Sequence, residues 1–171
     1  MWSPSRLVAI WVLAVTLAAC GFQPIYTRQD DPSNAAVELQ KVHVNLIQDR
    51  MGQKLHNNLL DRLNPRGRPA NPDYYLDVTV KTSKVSLGVQ RADTSTRAKL
   101  TVIASYSLKN RDKRLLFRSV SRSVSGYNIV DSDYAAQSAE FDAIDRSLRV
   151  ISEDIRARLA VFLSQGGGRR S

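Results

Sequence analysis

Apolar residues recur along this chain at two periods, and the switches between them mark out its elements. Val37 and Leu39, then Val42, Val44 and Leu46, alternate with polar residues, which predicts a strand over 37–46 with a one-residue slip near Gln40 and Lys41. Met51, Leu55, Leu59 and Leu63 then repeat every fourth position with Leu60 beside them, one face of a helix from about Asp49 to Leu63. Asn64-Pro65-Arg66-Gly67-Arg68-Pro69 ends it. Period two returns from Tyr74 to Gly88, where Leu76, Val78 and Val80 share one face and Asp77, Thr79 and Lys81 the other. Val85, Leu87 and Val89 continue the pattern after a change of register around Ser83. A polar turn over 88–96, containing Arg91 and Asp93, leads to a second strand with Leu100, Val102, Ala104, Tyr106 and Leu108 inward. Asn110-Arg111-Asp112-Lys113 is a hairpin turn. On the third strand, 114–127, Leu116, Val120 and Val124 alternate with Ser119, Ser121 and Ser123. Arg118 and Arg122 fall in the apolar set, so either a bulge re-aims them or they lie on a wet edge.

From Tyr134 the period is helical to the end. Phe141, Ile144, Leu148, Ile151, Ile155, Leu159 and Phe162 step by three or four, over about thirty residues or roughly 45 Å at 1.5 Å per residue, with Ser132 as N-cap. Asp142–Arg146, Asp145–Arg149 and Asp154–Arg158 stand four apart on its polar face, the pattern of a solvated, salt-bridged surface. Strand, helix, three-stranded meander and long helix make a two-layer α+β sandwich: a four-stranded sheet with two amphipathic helices on one face and a relatively polar opposite face.

The first residues follow another logic. Arg6 precedes an apolar run, Leu7 to Ala18, of about twelve residues, too short for a bilayer that needs roughly twenty. Leu17-Ala18-Ala19-Cys20 follows in the register of a lipobox, with small residues before the cut and the chain's one cysteine after it. This predicts a lipoprotein leader at 1–19 and a mature Cys20 carrying diacylglycerol and an N-acyl chain. Residues 20–36 then read as a tether, since Pro24 and Pro32 disfavour helix and Asp30 to Asn34 is turn-rich. Residues 37–164 form a single α+β domain, and 165–171, with Gly166-Gly167-Gly168-Arg169-Arg170, a disordered tail.

Charge bears on partners. The chain has 25 Lys+Arg against 16 Asp+Glu, a formal net charge of +9. In an exported protein that balance points away from nucleic acid and toward anionic envelope material such as lipid phosphates, or serves solubility alone. Acylation of Cys20 leaves no thiol for a disulfide, so stability rests on an apolar core. No catalytic constellation is visible, which predicts a protein that is not an enzyme and uses no cofactor beyond its covalent lipid. His43 and His56 lack zinc spacing and read as structural histidines, no G-x-S-x-G surrounds a serine, and paired acids have arginines one turn away.

Cys20-Gly21-Phe22-Gln23-Pro24-Ile25-Tyr26 resembles the start of mature lipopolysaccharide-assembly lipoproteins of the LptE family, which read Cys-Gly-Phe-x-Pro-[Leu/Ile]-Tyr. Gly126-Tyr127-Asn128 followed by Ser132-Asp133-Tyr134-Ala135, and the helix end Ile155-Arg156-Ala157-Arg158-Leu159, are similar to that family's last strand and last helix. The resemblance implies an outer-membrane lipoprotein on the periplasmic face, anchored in the inner leaflet, that plugs the LptD β-barrel, helps it assemble and takes part in lipopolysaccharide insertion. Gly21, where an aspartate would favour inner-membrane retention, is similar to the outer-membrane sorting pattern. For lipopolysaccharide phosphates the candidate residues are Arg91, Arg97 and Lys99 around the turn between the long strands, then Arg118 and Arg122 on the neighbouring strand. The other reading of the same features is an auxiliary lipoprotein of an envelope ABC-type lipid transport system.

Overall fold

A computed structural model describes residues 35–87, 96–129 and 132–165. The leader at 1–19, Cys20, the tether as far as residue 34, Arg91 with its turn, and the tail from 166 lie outside the described residues. The element order is α1 (Ala35–Gln40), β1 (Val42–Val44), α2 (Asp49–Leu63), β2 (Tyr74–Leu87), β3 (Thr96–Asn110), β4 (Leu115–Ile129) and α3 (Asp133–Ser164). The sheet runs β1-β2-β3-β4, with β1 parallel to β2 and the rest antiparallel. The fold is therefore α+β, as the two periods indicate.

The strand expected over 37–46 is three residues long, and its first part is a helical turn. Ala35 and Ala36 favour helix. Glu38 turns inward, where its carboxylate accepts from Lys41 Nζ at 3.0 Å and Tyr74 OH at 3.2 Å. Leu39 and Val42, three apart, are both buried, while Val37 at 49% and Leu46 at 80% exposure stay outside. Glu38 and Leu39 are adjacent and both buried, as a helical turn allows and a strand does not, so alternation begins only at Val42. Val42 and Val44 then lie beside Tyr74 and Leu76. The chain turns into α2 through Asp49, at φ 70°, a left-handed conformation that Asp tolerates. Leu55, Leu59 and Leu63 of α2 are buried as their spacing requires.

The meander carries the molecule. β2 and β3 pair without interruption from Tyr74↔Asn110 to Leu87↔Arg97, so the register change expected at Ser83 does not occur. Val85 consequently lies on the face opposite Leu76, 52% exposed. On β3, Ala98, Leu100, Val102, Ala104, Tyr106 and Leu108 all point into the core. The irregularity at Leu108/Lys109 places Leu116 at a bulge opposite them. β4 is the edge strand, and its faces are the reverse of the simple apolar reading. Ser121 and Ser123 are buried, whereas Val120 and Val124 are half exposed beside Arg118 and Arg122.

α3 explains that reversal. It has 32 residues, begins at the Ser132 cap and packs on β4, β3, α2 and α1. Its buried line includes Ala143, Ser147 and Ser152 as well as Leu148, Ile151, Ile155 and Leu159. Small residues on both partners let helix and strand approach, and the hydroxyls pair off. Ser125 Oγ and Ser147 Oγ are 2.8 Å apart, and Ser152 Oγ donates to the Arg149 carbonyl at 2.8 Å. The polar face of α3 is partly tied down: Asp154 holds Arg158 at 2.9 Å, but Asp145 meets Lys54 of α2 at 2.7 Å, and Glu153 meets Arg62 of α2 at 3.2 Å. Near its start, Glu140 accepts from Tyr127 OH at 3.0 Å and pairs with Lys84.

Candidate functional site

With the three described helices on one face, the other face of β2–β3–β4 is open among the described residues. Register orders its side chains into rows across the strands. From one end these are Asp77–Ser107–Arg118, Thr79–Ser105–Val120, Lys81–Ile103–Arg122, Ser83–Thr101–Val124 and Val85–Lys99–Gly126, with Arg97 in the row beyond. Val85, Ile103, Val120 and Val124 form a small apolar centre, and cations stand around it.

Asp77 is the only acid on this face among the described residues, and it is already engaged. Lys109 Nζ lies 2.8 Å from its Oδ2 and Asn45 Nδ2 donates to its Oδ1 at 2.6 Å. The hydrogen bond from Lys109, helped by that from Asn45 and against partial burial, holds the Asp77 carboxyl below the usual carboxylate range. Beside it lies a polar cavity of about 380 Å³ lined by Asn45, Tyr75, Asp77, Lys109, Asn110, Arg111 and Lys113. Arg111 pairs with Asp73 at 2.6 Å and donates to the Pro72 carbonyl at 3.0 Å, so this end of the face is an ordered ionic rim.

The remaining cations form a stripe. Arg97, Lys99, Arg118 and Arg122 share the open face and are exposed, but they do not gather at one turn. The rows of Arg97 and Arg118 are ten residues apart along β3, roughly 33 Å at 3.3 Å per residue. Lys81, absent from the sequence-derived set, stands in the same row as Arg122 with Ile103 between them, roughly 10 Å across two strand spacings. Alternation alone places Lys81 on the polar face of β2; only register reveals Arg122 as its neighbour. An array of this kind can hold several anionic groups along its length by point charge and guanidinium fork.

The second concavity lies between β4 and the end of α3. It is a groove of about 510 Å³ lined by Phe117, Ser119, Ala157, Arg158, Val161, Phe162 and Gln165. Phe117 stacks on Phe162 with ring centroids 4.9 Å apart, and Arg158 reaches Ser119 Oγ at 3.5 Å. Close by, the Tyr106 hydroxyl is buried with no hydrogen-bond partner. Burial pushes its pKa up.

Neither histidine lies on the open-face stripe. His56 is buried with Nδ1 3.2 Å from the Asn45 carbonyl, and burial lowers its pKa. His43 packs against Tyr75 with centroids 5.8 Å apart. Among the described residues no group of three His, Cys, Asp or Glu is placed to hold a metal ion, and no helix is long and apolar enough to cross a membrane.

A family model described as LptE, lipopolysaccharide-assembly, matches residues 39–159. No curated protein matches the chain by sequence. Among solved structures, a chain described as a lipoprotein from Caulobacter crescentus CB15 is similar with a TM-score of 0.62 at 20% identity, over 75% of this chain and 95% of that one. A homologue of a neuraminyllactose-binding haemagglutinin from Helicobacter pylori aligns with a TM-score of 0.50 at 9% identity, over 76% and 87% of the two chains. The rare lipoprotein B of Shewanella oneidensis aligns at 0.42 and 12% identity, over 73% and 91%. At these identities the first two likenesses speak to fold.

Proposed function

The chain belongs to the LptE lipopolysaccharide-assembly family, and from that premise we propose that it is a non-enzymatic lipoprotein that sits in the lumen of an LptD-type β-barrel, assists its assembly and contacts lipopolysaccharide. The observation that carries the reading is the segregation of layers. Among the described residues three helices cover one face of the sheet, and the other, polar and cationic, is left bare. A wide barrel has a polar lumen, so a plug needs a hydrophilic outside. The salt-bridged surface of α3 and the open sheet face supply one on opposite sides. Lipidation of Cys20 and the outer-membrane, periplasmic-face location complete the proposal, resting on the lipobox register and on family membership.

In this proposal Lys81, Arg97, Lys99, Arg118 and Arg122 meet lipopolysaccharide phosphates along the stripe, and Arg91, outside the described residues, remains a candidate from the sequence. In the same proposal the covalent lipid on Cys20 anchors the chain to the membrane. The test is purification of the full chain from membranes in mild detergent. A large β-barrel protein recovered in stoichiometric amount is expected; recovery instead with an inner-membrane ATP-driven complex would favour the auxiliary-subunit reading and sink this one.

A further inference from the structure

The sheet has two edges, and they are unlike. β1 is three residues long and β4 is fifteen. Among the described residues β4 pairs with β3 alone, contains no proline, and keeps regular register from Phe117 to Ile129. Natural proteins usually blunt long edges with bulges, prolines or brevity, because an unpaired row of N–H and C=O groups templates a further strand. Here the bulge sits at one end only, and Phe117, Val120, Val124, Tyr127 and Ile129 favour the extended conformation.

Two other features converge on the same edge. No β3 side chain lines the 510 Å³ groove, so it opens on the side of β4 away from β3. Phe117 and Ser119 of β4 and Ala157, Val161 and Phe162 of α3 line it, which places it where the inward side chains of an added strand would project. On the opposite face of β4, Arg118 and Arg122 are exposed four residues apart, and β4 contains no acid. That charge pattern opposes a second copy of the chain in two of the possible registers. Antiparallel self-pairing centred on Val120 sets Arg118 against Arg122, and centred on Arg122 sets that residue against itself.

We propose that the free edge of β4 docks an extended segment of a partner protein, which adds antiparallel as a fifth strand, inserts apolar side chains into the groove under α3 and sets carboxylates against Arg118 and Arg122. The register fixes the pattern: acids four apart, with apolar residues either side of the acid opposite Arg118. This is strand addition, with affinity from main-chain hydrogen bonds and selectivity from alternate side chains. It stands apart from the barrel reading, since it holds whichever protein supplies the strand.

The test uses the full chain in detergent and a fluorescent peptide, Asp-Thr-Thr-Leu-Asp-Leu flanked by threonines, with a control carrying Lys for both Asp. Saturable binding of the acidic peptide is expected, with slowed hydrogen exchange at alternate amides of β4. Arg118→Glu with Arg122→Glu should weaken it roughly tenfold and transfer preference to the Lys peptide. Ala157→Trp should block the groove and abolish binding while the melting temperature holds, because Ala157 is exposed. Equal affinity for both peptides, or protection elsewhere than β4, would overturn the proposal and leave the arginines as guards against edge pairing. So would β4 protection that rises with protein concentration, which would mean a second copy. Peptide binding that requires deletion of residues 20–34 would give the edge to the chain's own segment. None of these outcomes touches barrel co-purification.

Discussion

At the scale of single residues, Gly52 and His56 show how tightly α2 is held to the sheet. A Cβ on Gly52 would stand 2.6 Å from Ile47 Cγ2 and 3.1 Å from the Ile47 carbonyl carbon and oxygen. Ile47 is itself buried, so the backbone has little room to yield. Gly52→Ala normally gains helix propensity, but here overpacking should win and destabilise the protein by about 1–3 kcal/mol, read as a lower urea midpoint. His56 gives a pH signature. Its folded pKa lies below the ordinary 6.5 because burial disfavours the cation. The unfolded chain therefore binds the proton more readily. The stability contributed by neutral His56 is full above about 6.5 and is lost as pH falls from there through the depressed folded value. Denaturation midpoints measured between pH 7.5 and 5 should fall toward acid, and His56→Gln should flatten that slope; an unchanged slope would remove His56 from the account. The structural role expected of His56 was legible because no metal or nucleophile spacing surrounds it. Its bond to the Asn45 carbonyl was not, since that pairing spans the β1–α2 turn.

Elements were legible where one face of a periodic pattern is strongly apolar. α2, β3 and α3 follow their spacing closely, and Ser132 caps α3 through the Ala135 amide at 3.5 Å. β1 was misread, and the buried face of β4 was left open between a bulge and a wet edge, for a shared reason. Where a segment offers two sets that differ modestly in hydrophobicity, the neighbouring element chooses. On β4 the choice lies between valines with arginines and a run of serines, and α3 takes the serines because its own Ser147, Ser152 and Ala143 permit a close approach. Substituting a large side chain there should force the layers apart. Ser121→Leu is expected to destabilise by about 1–3 kcal/mol despite replacing a polar residue with an apolar one, whereas Val120→Ser on the open face should stay within about 0.5 kcal/mol. Thermal or urea unfolding of both variants distinguishes this arrangement from the opposite one, which would reverse the order.

For the whole molecule, the relevant quantity is how charge is distributed between its two faces. Acids of α3 are spent on Lys54, Arg62, Lys84 and Arg158, while the open sheet face keeps its cations with Asp77 alone, and Asp77 is bound to Lys109. Lys81→Glu with Arg122→Glu should therefore weaken binding to lipopolysaccharide micelles by roughly tenfold at low salt and reduce its salt dependence, with little change in melting temperature. Binding that survives this pair but fails with Arg97→Glu and Lys99→Glu would confine the anion site to the turn end. By itself the sequence determined the three-stranded meander and the two long helices, the α+β class, and a core built from the leucines of α2 and α3 and the alternate residues of β3. It did so because periodicity and composition are local properties of a chain. The tertiary structure alone decided which face of β4 is buried, that Lys81 and Arg122 share a row, and that a groove runs along a free edge. Those depend on register and on helix placement, which join residues tens of positions apart and leave no period to read.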